Sequence, residues 1–462
     1  MKKLRRLMAM MVAGLIIGTG MVPALAGNED APAEIMDEVR GILKRDYVRE
    51  LTLEQLKKPT IDEILQGQND PYTVYMTAEQ YKEFVDGIES EFSGIGVYVA
   101  MEEGGMRITE PIEGSPAIKS GLRAGDLIIE ANGYSLAGAV YEEAAAKTMG
   151  EAGTTVVLKI KRDENIFDVK VTRARVHVPE IKSEVIDGHI GYVDINSFGN
   201  ETGGRFKKAV DDLKSKNVDS WIFDLRSNGG GYLTTARILA GYFIDTQKAV
   251  VVKNRFREDS ETGIDIGDIG NGKVIFLINP YSASASEVLS GALKDYEKAS
   301  FLGNLSFGKG SVQVMYPLSN GDFIKVTIDN FYSPEENVIN HVGIEPDLNT
   351  FGFDALETAK MLLSGDSHDV KDLKYKIGPQ EFYIDDRALE NEDVKKMYED
   401  LFKDENLSFE EKSKLLTIKD RWLKAKFQDD EEAMAKWHEE AEALRRANGF
   451  SGGHDGEAVI SN

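Results

Sequence analysis

Residues 281–313, YSASASEVLSGALKDYEKASFLGNLSFGKGSVQ, carry three serines ahead of a helical pattern and then a lysine between Gly308 and Gly310. Three chemistries fit such a stretch. Ser284-Ala-Ser-Glu287 fits a capping box, in which the serine accepts from a backbone N–H and the glutamate reaches back. Gly303-Asn-Leu-Ser-Phe-Gly308-Lys309 nearly matches a phosphate loop, but it fails twice. Gly310 stands where a serine or threonine should bind magnesium, and Val312, Val314 and Tyr316 on alternate positions read as a strand where a helix is needed. The third chemistry is a serine nucleophile with a lysine base. A serine hydroxyl attacks poorly until a neighbour takes its proton. Lysine does so only as the neutral amine, so burial must disfavour its charged form. Gly308 and Gly310 leave room for close packing around Lys309. A serine at a helix start also brings N-terminal N–H groups toward a developing oxyanion. Cap and nucleophile are therefore compatible, and this stretch alone does not choose between them.

A Ser-His-Asp triad needs a histidine beside the serine. The six histidines are His177, His189, His341, His368, His438 and His454, and none lies in 281–313 or in the glycine loop 226–231. His341 is the one nearest a candidate loop in sequence, and there is no G-x-S-x-G elbow. The absence of cysteine excludes disulfides, zinc–thiolate sites and a cysteine nucleophile. A net charge of −24 argues against nucleic acid and anionic membrane surfaces as partners. The 462 residues, 42% of them hydrophobic, are enough for two to four domains with real cores.

Several elements must position these groups. Lys2, Lys3, Arg5 and Arg6 precede an apolar run from Leu7 to Val22 and then Ala24-Leu25-Ala26, the order of a secretory signal. The chain is therefore expected to be exported to the extracellular, cell-wall or periplasmic side. It would be free there, or tethered once by an uncleaved signal. Helical spacing recurs through Ile35, Val39, Ile42 and Leu43 and again through Ile61, Ile64 and Leu65, until Asp70-Pro71-Tyr72 breaks it. Thr77 to Gln80 form a capping box for a helix to about Ser90. From Phe92 the character changes. Gly94-Ile95-Gly96-Val97 precedes a strand, Gly114-Ser-Pro-Ala to Gly121 reads as a short helix, and Leu127 leads a strand into the Asn132-Gly133 turn. The pattern SPA-x-x-SGL-x-AGD-x-I over residues 92–175 resembles a PDZ domain. In that reading Gly94, Ile95, Gly96 and Val97 form the carboxylate-binding loop, whose N–H groups hold a peptide C-terminus while the peptide adds as a strand.

After Pro179 strands and helices alternate. Ile190–Ile195, Trp221–Leu225, Val250–Val252 and Val274–Ile278 read as strands, and 202–216 and 233–243 as helices. Such alternation implies a sheet with parallel segments and a site in the loops at the strand ends, where both the loop after Leu225 and the loop before Ser284 fall. Ser319 to Asp322 turns a hairpin. Residues 355–363 read as a helix and 375–384 as a small hairpin. Residues 393–446 read as a charged helical stretch, with Trp422 and Trp437 on its apolar faces.

Taken together, the order of motifs resembles the carboxyl-terminal processing proteases, serine endopeptidases with a Ser-Lys dyad, over about residues 30–350. The resemblance rests on Asp70-Pro71-Tyr72, the PDZ segment, Asp224-Leu-Arg-Ser-Asn-Gly-Gly-Gly231, Ser282-Ala-Ser-Ala-Ser-Glu287, Phe307-Gly-Lys-Gly-Ser-Val-Gln313 and Gly343-Ile-Glu-Pro-Asp347. It implies an α/β multidomain chain, with a mixed ClpP/crotonase-like sheet core, an inserted PDZ domain and helical segments at both ends. The expected division is a signal at 1–26, a helical region at 27–91, the PDZ domain at 92–175, the protease core at 176–351, a helical or dimerisation region at 352–449 and a disordered tail at 450–462. Carried over by position, Ser284 is the nucleophile, Lys309 its base and Gln313 the residue that positions the lysine. Gly230 and Ala285 supply oxyanion N–H groups. Gly229 stands where the family often has proline, which loosens that loop, and Tyr72 stands where histidine is frequent. The resemblance implies no cofactor or metal, protein substrates with apolar C-termini, no nucleic-acid partner and a homodimer. The competing readings are a non-enzymatic exported PDZ scaffold and a structural dimer built on the C-terminal helices.

Overall fold

The computed structural model describes residues 31–350, 352–366, 368, 372–403, 407–427 and 431–447. The expected signal and tail lie outside these residues. The chain forms two compact units. One holds the described residues up to Gly41 together with Lys57–Glu180 and Met315–Lys325. The other holds Ile42–Leu56, Ile181–Val314 and the described residues from Val326 onward.

The first unit contains an antiparallel sheet. Its strands follow the order Val97–Glu102, Gly105–Pro111, Leu127–Ala131, Thr155–Arg162 and Asn165–Thr172, with Tyr134–Ser135 pairing off Leu127–Ala131. Period-2 burial builds its core: Val156, Leu158 and Ile160 turn inward along one strand and meet Met106, Ile108 and Ile128. The short helix Pro116–Lys119 starts as its sequence requires, with Ser115 accepting from the Ile118 N–H and Pro116 in the first turn. The aspartate that ends the AGD motif has a structural task. Asp126, 1% exposed, takes Arg162 in a two-pronged pair at 2.6 and 2.7 Å and accepts the Arg123 N–H. Glu91–Gly94 pairs antiparallel with Ala174–His177 and joins the ends of this domain. Val97–Glu102 lies at one edge of the sheet.

The second unit is built on a six-stranded sheet in the order Ile181–Ile186, Ile190–Ile195, Ser220–Asp224, Lys273–Ile278, Ser300–Gly303, Leu348–Asn349. The first pair is antiparallel and the rest are parallel. The sheet is therefore mixed, as expected. Its middle strands are buried on both faces, so they read as continuous apolar runs. Trp221 and Phe223 face one core, which they share with Phe206, Phe276 and residues of the helices Thr202–Ser215, Leu233–Ile244 and Ala285–Asp295. Ile222 points the other way, toward Ile275, Leu277 and Leu302. Stacked rings run across the first face, Phe223 on Phe276 at 5.0 Å and Phe276 on Phe301 at 5.5 Å.

The second face is covered by the region expected to be separate. Ala359 and Leu362 from the helix Ala355–Leu362, Phe382 from the hairpin Leu373–Ile384, and Tyr398 and Leu401 from the helix Glu392–Phe402 close over it. No unit boundary falls at residue 351. The expected charged helical stretch is three helices, Glu392–Phe402, Phe409–Phe427 and Glu431–Ala447. Trp422 and Trp437 pack between the last two, with Ile418 and Ala441. Among the described residues no helix is long and apolar enough to cross a membrane.

Candidate active site

Three adjacent parallel strands, Ser220–Asp224, Lys273–Ile278 and Ser300–Gly303, end at the same edge of the sheet. Their following loops carry Gly230, Ser284 and Lys309. Parallel pairing of neighbouring strands puts the loops that follow them side by side, which is why sites gather there. Backbone and side-chain bonds tie the three loops together. The Ser227 N–H donates to Asn279 Oδ1 at 2.9 Å, the Ala283 N–H to the Asn228 carbonyl at 3.0 Å and the Phe307 N–H to the Ser282 carbonyl at 3.0 Å.

The structure separates the three serines. Ser282 is 1% exposed and its hydroxyl donates to the Leu225 carbonyl at 2.7 Å. Ser286 is fully buried and donates to the Asn228 carbonyl at 2.9 Å. Both are fasteners for the glycine loop. Ser284 alone keeps a partly exposed surface. It sits immediately before the helix Ala285–Asp295 with φ +56° and ψ −111°, a conformation that side chains with a Cβ rarely adopt. Such strain is commonly stored where a functional group must be presented, at a cost of about 1–3 kcal/mol. The Glu287 half of the capping box forms, its carboxylate accepting the Ser284 N–H at 2.8 Å. The Glu287 N–H, the group a capping hydroxyl would accept, donates to the Ser284 carbonyl at 2.8 Å.

Gly230 is pressed against this turn. At φ +105°, a Cβ built on it would stand 2.8 Å from Ser284 Cβ and 2.9 Å from the Ala285 nitrogen. Only glycine fits. Its N–H donates to Asn228 Oδ1 at 2.9 Å, so an oxyanion role for this donor requires that bond to be shared or released. The Ala285 N–H belongs to the helix's first turn, where N–H groups have no intrahelical acceptor. Gly230 and Gly231 take positive φ, whereas Gly229, the position expected to loosen the loop, does not.

The lysine loop is packed as its glycines suggested. A Cβ at Gly310 would stand 2.4 Å from the Asn340 nitrogen, and one at Gly308 would stand 2.7 Å from Lys424 Nζ and 3.0 Å from the Gly343 nitrogen. Lys309 is partly buried. Its N–H donates to Glu287 Oε2 at 2.8 Å, the same oxygen that accepts the Ser284 N–H at 2.8 Å. The backbones of Ser284 and Lys309 are thus joined through one carboxylate oxygen. The Gln313 amide donates to the Ser311 hydroxyl at 2.9 Å and the Thr327 hydroxyl at 3.4 Å. His341 reaches this loop by its backbone, the N–H donating to the Gly308 carbonyl at 2.8 Å. Burial, then the charges of Lys424 and Arg49, pull its imidazole below the ordinary value.

Sequence reasoning assigned Glu287 a cap and missed that it is a hub. It is 1% exposed and also accepts the Ser306 hydroxyl at 2.5 Å and the Gly308 N–H at 2.6 Å. Burial pushes its carboxyl up, and the Ser306 hydroxyl and the Lys309, Gly308 and Ser284 N–H groups pull it back. Lys424 was missed entirely. It sits on the helix Phe409–Phe427, donates to the Phe307 carbonyl, and burial lowers it to about 8. No local sequence pattern links residue 424 to residue 307; only the fold does.

In the other unit, Gly94 ends one strand and Val97 begins the edge strand, with Ile95 buried in the domain core. Gly96 takes φ +79°, and a Cβ there would stand 2.4 Å from Ser115 Cβ. The Ile95 carbonyl accepts the Ala117 N–H at 2.8 Å, fastening the loop to the short helix.

An α/β sheet that presents a strained serine at a helix start, with a lysine loop bonded to the same carboxylate and a PDZ domain on the same chain, defines a PDZ-bearing serine peptidase. Comparison with known proteins agrees. Residues 189–350 match the model of peptidase family S41, and residues 93–172 match a PDZ domain. A probable CtpA-like serine protease of Staphylococcus aureus is 33% identical over 386 residues, covering 80% of this chain and 78% of that protein. Its counterpart from Staphylococcus epidermidis is 33% identical over 341 residues, covering 73% and 69%. Among solved structures, a photosystem II D1 C-terminal processing protease aligns at 25% identity and a TM-score of 0.46, over 69% of this chain and 92% of that one. The chain belongs to peptidase family S41.

Proposed function

We propose that this chain is an exported serine endopeptidase that cleaves proteins near their C-termini with a Ser284–Lys309 dyad, under control of its PDZ domain. One observation carries the choice of nucleophile: the hydroxyls of Ser282 and Ser286 are buried in bonds to backbone carbonyls, while Ser284 is partly exposed on a strained turn. The shared Glu287 oxygen supports Lys309 as its partner.

The chemistry follows from these groups. The neutral Lys309 amine takes the Ser284 hydroxyl proton as Oγ attacks the substrate carbonyl. The developing oxyanion meets the Ala285 N–H at the helix start, with Gly230 as the second donor once Asn228 yields. The intermediate collapses, the peptide C–N bond breaks, and the leaving amine takes the proton from Lys309. Water then repeats the sequence on the acyl-enzyme and frees Ser284. Gln313 steadies the lysine.

The PDZ loop Gly94–Val97 would take a peptide C-terminus, and the strand Val97–Glu102, at the edge of its sheet, is where such a peptide would add as a further strand. Binding of an apolar C-terminus would then switch the dyad on. Export follows from residues 1–26, and the homodimer is carried over with the family resemblance. Ser284→Ala and Lys309→Ala are each expected to abolish cleavage while leaving thermal unfolding intact. Normal cleavage by Lys309→Ala would remove the dyad. Deleting residues 95–172 is expected to erase the preference for substrate C-termini, and unchanged selectivity would remove the PDZ role.

A further inference from the structure

Two buried charges beside the dyad take no part in the bond-breaking steps. Glu287 accepts four hydrogen bonds, two on each oxygen: the Ser306 hydroxyl and the Gly308 N–H on Oε1, the Ser284 and Lys309 N–H groups on Oε2. Only a carboxylate can do this. A glutamine of the same shape would turn an NH₂ group toward two N–H or O–H donors. The bonds also join different parts of the chain, since one oxygen holds the nucleophile's backbone and the base's backbone together.

Lys424 approaches the same corner from the C-terminal helix Phe409–Phe427. Its ammonium donates to the Phe307 carbonyl, two residues before Lys309, and its Nζ packs on Gly308. The charge of Glu287 acts on it in the favourable sense, against burial and the repulsion of Arg421. The helix is pinned nearby at several further points. Asp420 accepts from Asn304, the Leu305 N–H and Asn349, Arg421 pairs with Glu345, and the Ser413 hydroxyl accepts the Asn349 N–H. These fasten the first half of the lysine loop, Asn304 to Gly308, onto a helix more than one hundred residues away in sequence.

We propose that Glu287 and Lys424 are positioning residues for the cleavage reaction: Glu287 clamps the backbones of Ser284 and Lys309 to one carboxylate, and Lys424 locks the lysine loop onto the C-terminal helix. The proposal rests on the Ser284–Lys309 reading. Proton transfer requires the amine within hydrogen-bond reach of the hydroxyl, and an error of about 1 Å in placement costs on the order of a hundredfold in rate. Loosening the clamp therefore acts on turnover, while substrate recognition in the PDZ loop is untouched.

The test uses the full chain and an unstructured casein substrate carrying an apolar C-terminal tail. Steady-state kinetics and thermal unfolding are measured for Lys424→Met, Glu287→Gln, Ser284→Ala and Lys309→Ala. Lys424→Met is expected to fold, because it replaces a buried charge by an apolar chain of similar length. Its kcat should fall at least about tenfold, with KM within about threefold of the parent. Glu287→Gln should lower kcat further, again with little change in KM. A folded variant of either kind with kcat within about twofold of the parent, or with its loss in KM, overturns the proposal. If one variant does not fold, the other decides by the same criterion; if neither folds, the two residues serve the fold and the proposal fails. The dyad is scored separately. Activity in Lys309→Ala sinks the dyad, whereas an inactive Lys309→Ala beside fully active Lys424→Met and Glu287→Gln sinks the positioning role alone.

Discussion

At Ser284, the proposed nucleophile, a hydroxyl is presented at a conformational cost. A φ of +56° with ψ of −111° is comfortable for glycine and poor for anything with a Cβ. Removing this hydroxyl should therefore have two different structural outcomes. Ser284→Ala keeps the Cβ and the strain; Ser284→Gly loses both. Both are expected to be inactive, but Ser284→Gly should unfold at a temperature a few degrees higher than Ser284→Ala, a gap of about 1 kcal/mol. Equal melting temperatures in a calorimetric scan would mean that the turn is unstrained. The flanking serines have the reverse character, with no chemistry and a definite structural duty. Ser286→Ala leaves the buried Asn228 carbonyl to the Ala283 N–H alone, and should cost about 1 kcal/mol while sparing the Ser284 hydroxyl.

At the scale of elements, the ends of the parallel strands hold a second cluster of charge. Asp194 is the last residue but one of the strand Ile190–Ile195, and its register partner Asp224 closes Ser220–Asp224. Asp224 is satisfied: Arg226 bonds it at 2.6 Å and the Tyr192 hydroxyl at 2.9 Å. Asp194 is pushed up to about 6 by burial, and then by the charge of Asp224 beside it. The sign follows directly. A carboxyl raised in the folded state binds its proton there between about pH 4 and 6, when the unfolded chain has already lost it, so stability from this group is present below pH 4 and declines as pH rises through 6. Asp194→Asn removes the penalty. It should raise the melting temperature at pH 7 by more than at pH 4.5, the difference corresponding to roughly 1–3 kcal/mol. An equal gain at both values would show that the ionisation of Asp194 is not disfavoured by the fold.

Across the whole second unit, the region after the S41 match is part of the protease body. Residues from Ala355 to Leu401 cover the face of the sheet bearing Ile222, Ile275, Leu277 and Leu302. The helix Phe409–Phe427 then braces the lysine loop. A chain ending at residue 350 would expose that apolar face to water, and exposed patches of that kind drive association. It should be insoluble or fail to give a cooperative unfolding transition. A soluble, cooperatively folded truncation that still cleaves peptide would make the C-terminal region an accessory.

Much of the site was legible in the chain. The serine triplet, the glycine-flanked lysine and the Gly229–Gly231 loop could be read because their chemistry is local: a turn, a helix start, a close approach. The alternation of strands and helices likewise fixed the parallel core, since crossover connections dictate that the three loops meet at one edge. The PDZ domain was legible for the same reason, as its turns and its Asp126 anchor lie within a short span. The choice among Ser282, Ser284 and Ser286 was different in kind. Sequence position pointed to the middle serine, but only folding buried the outer two against carbonyls from the neighbouring loop. Glu287 and Lys424 were beyond sequence reasoning altogether. One looked like an ordinary cap and the other like one charge among many on an amphipathic helix. Their roles arise from contacts with the lysine loop that span 22 residues for one and 117 for the other. Such contacts are set by how a whole unit packs, and no local spacing encodes them.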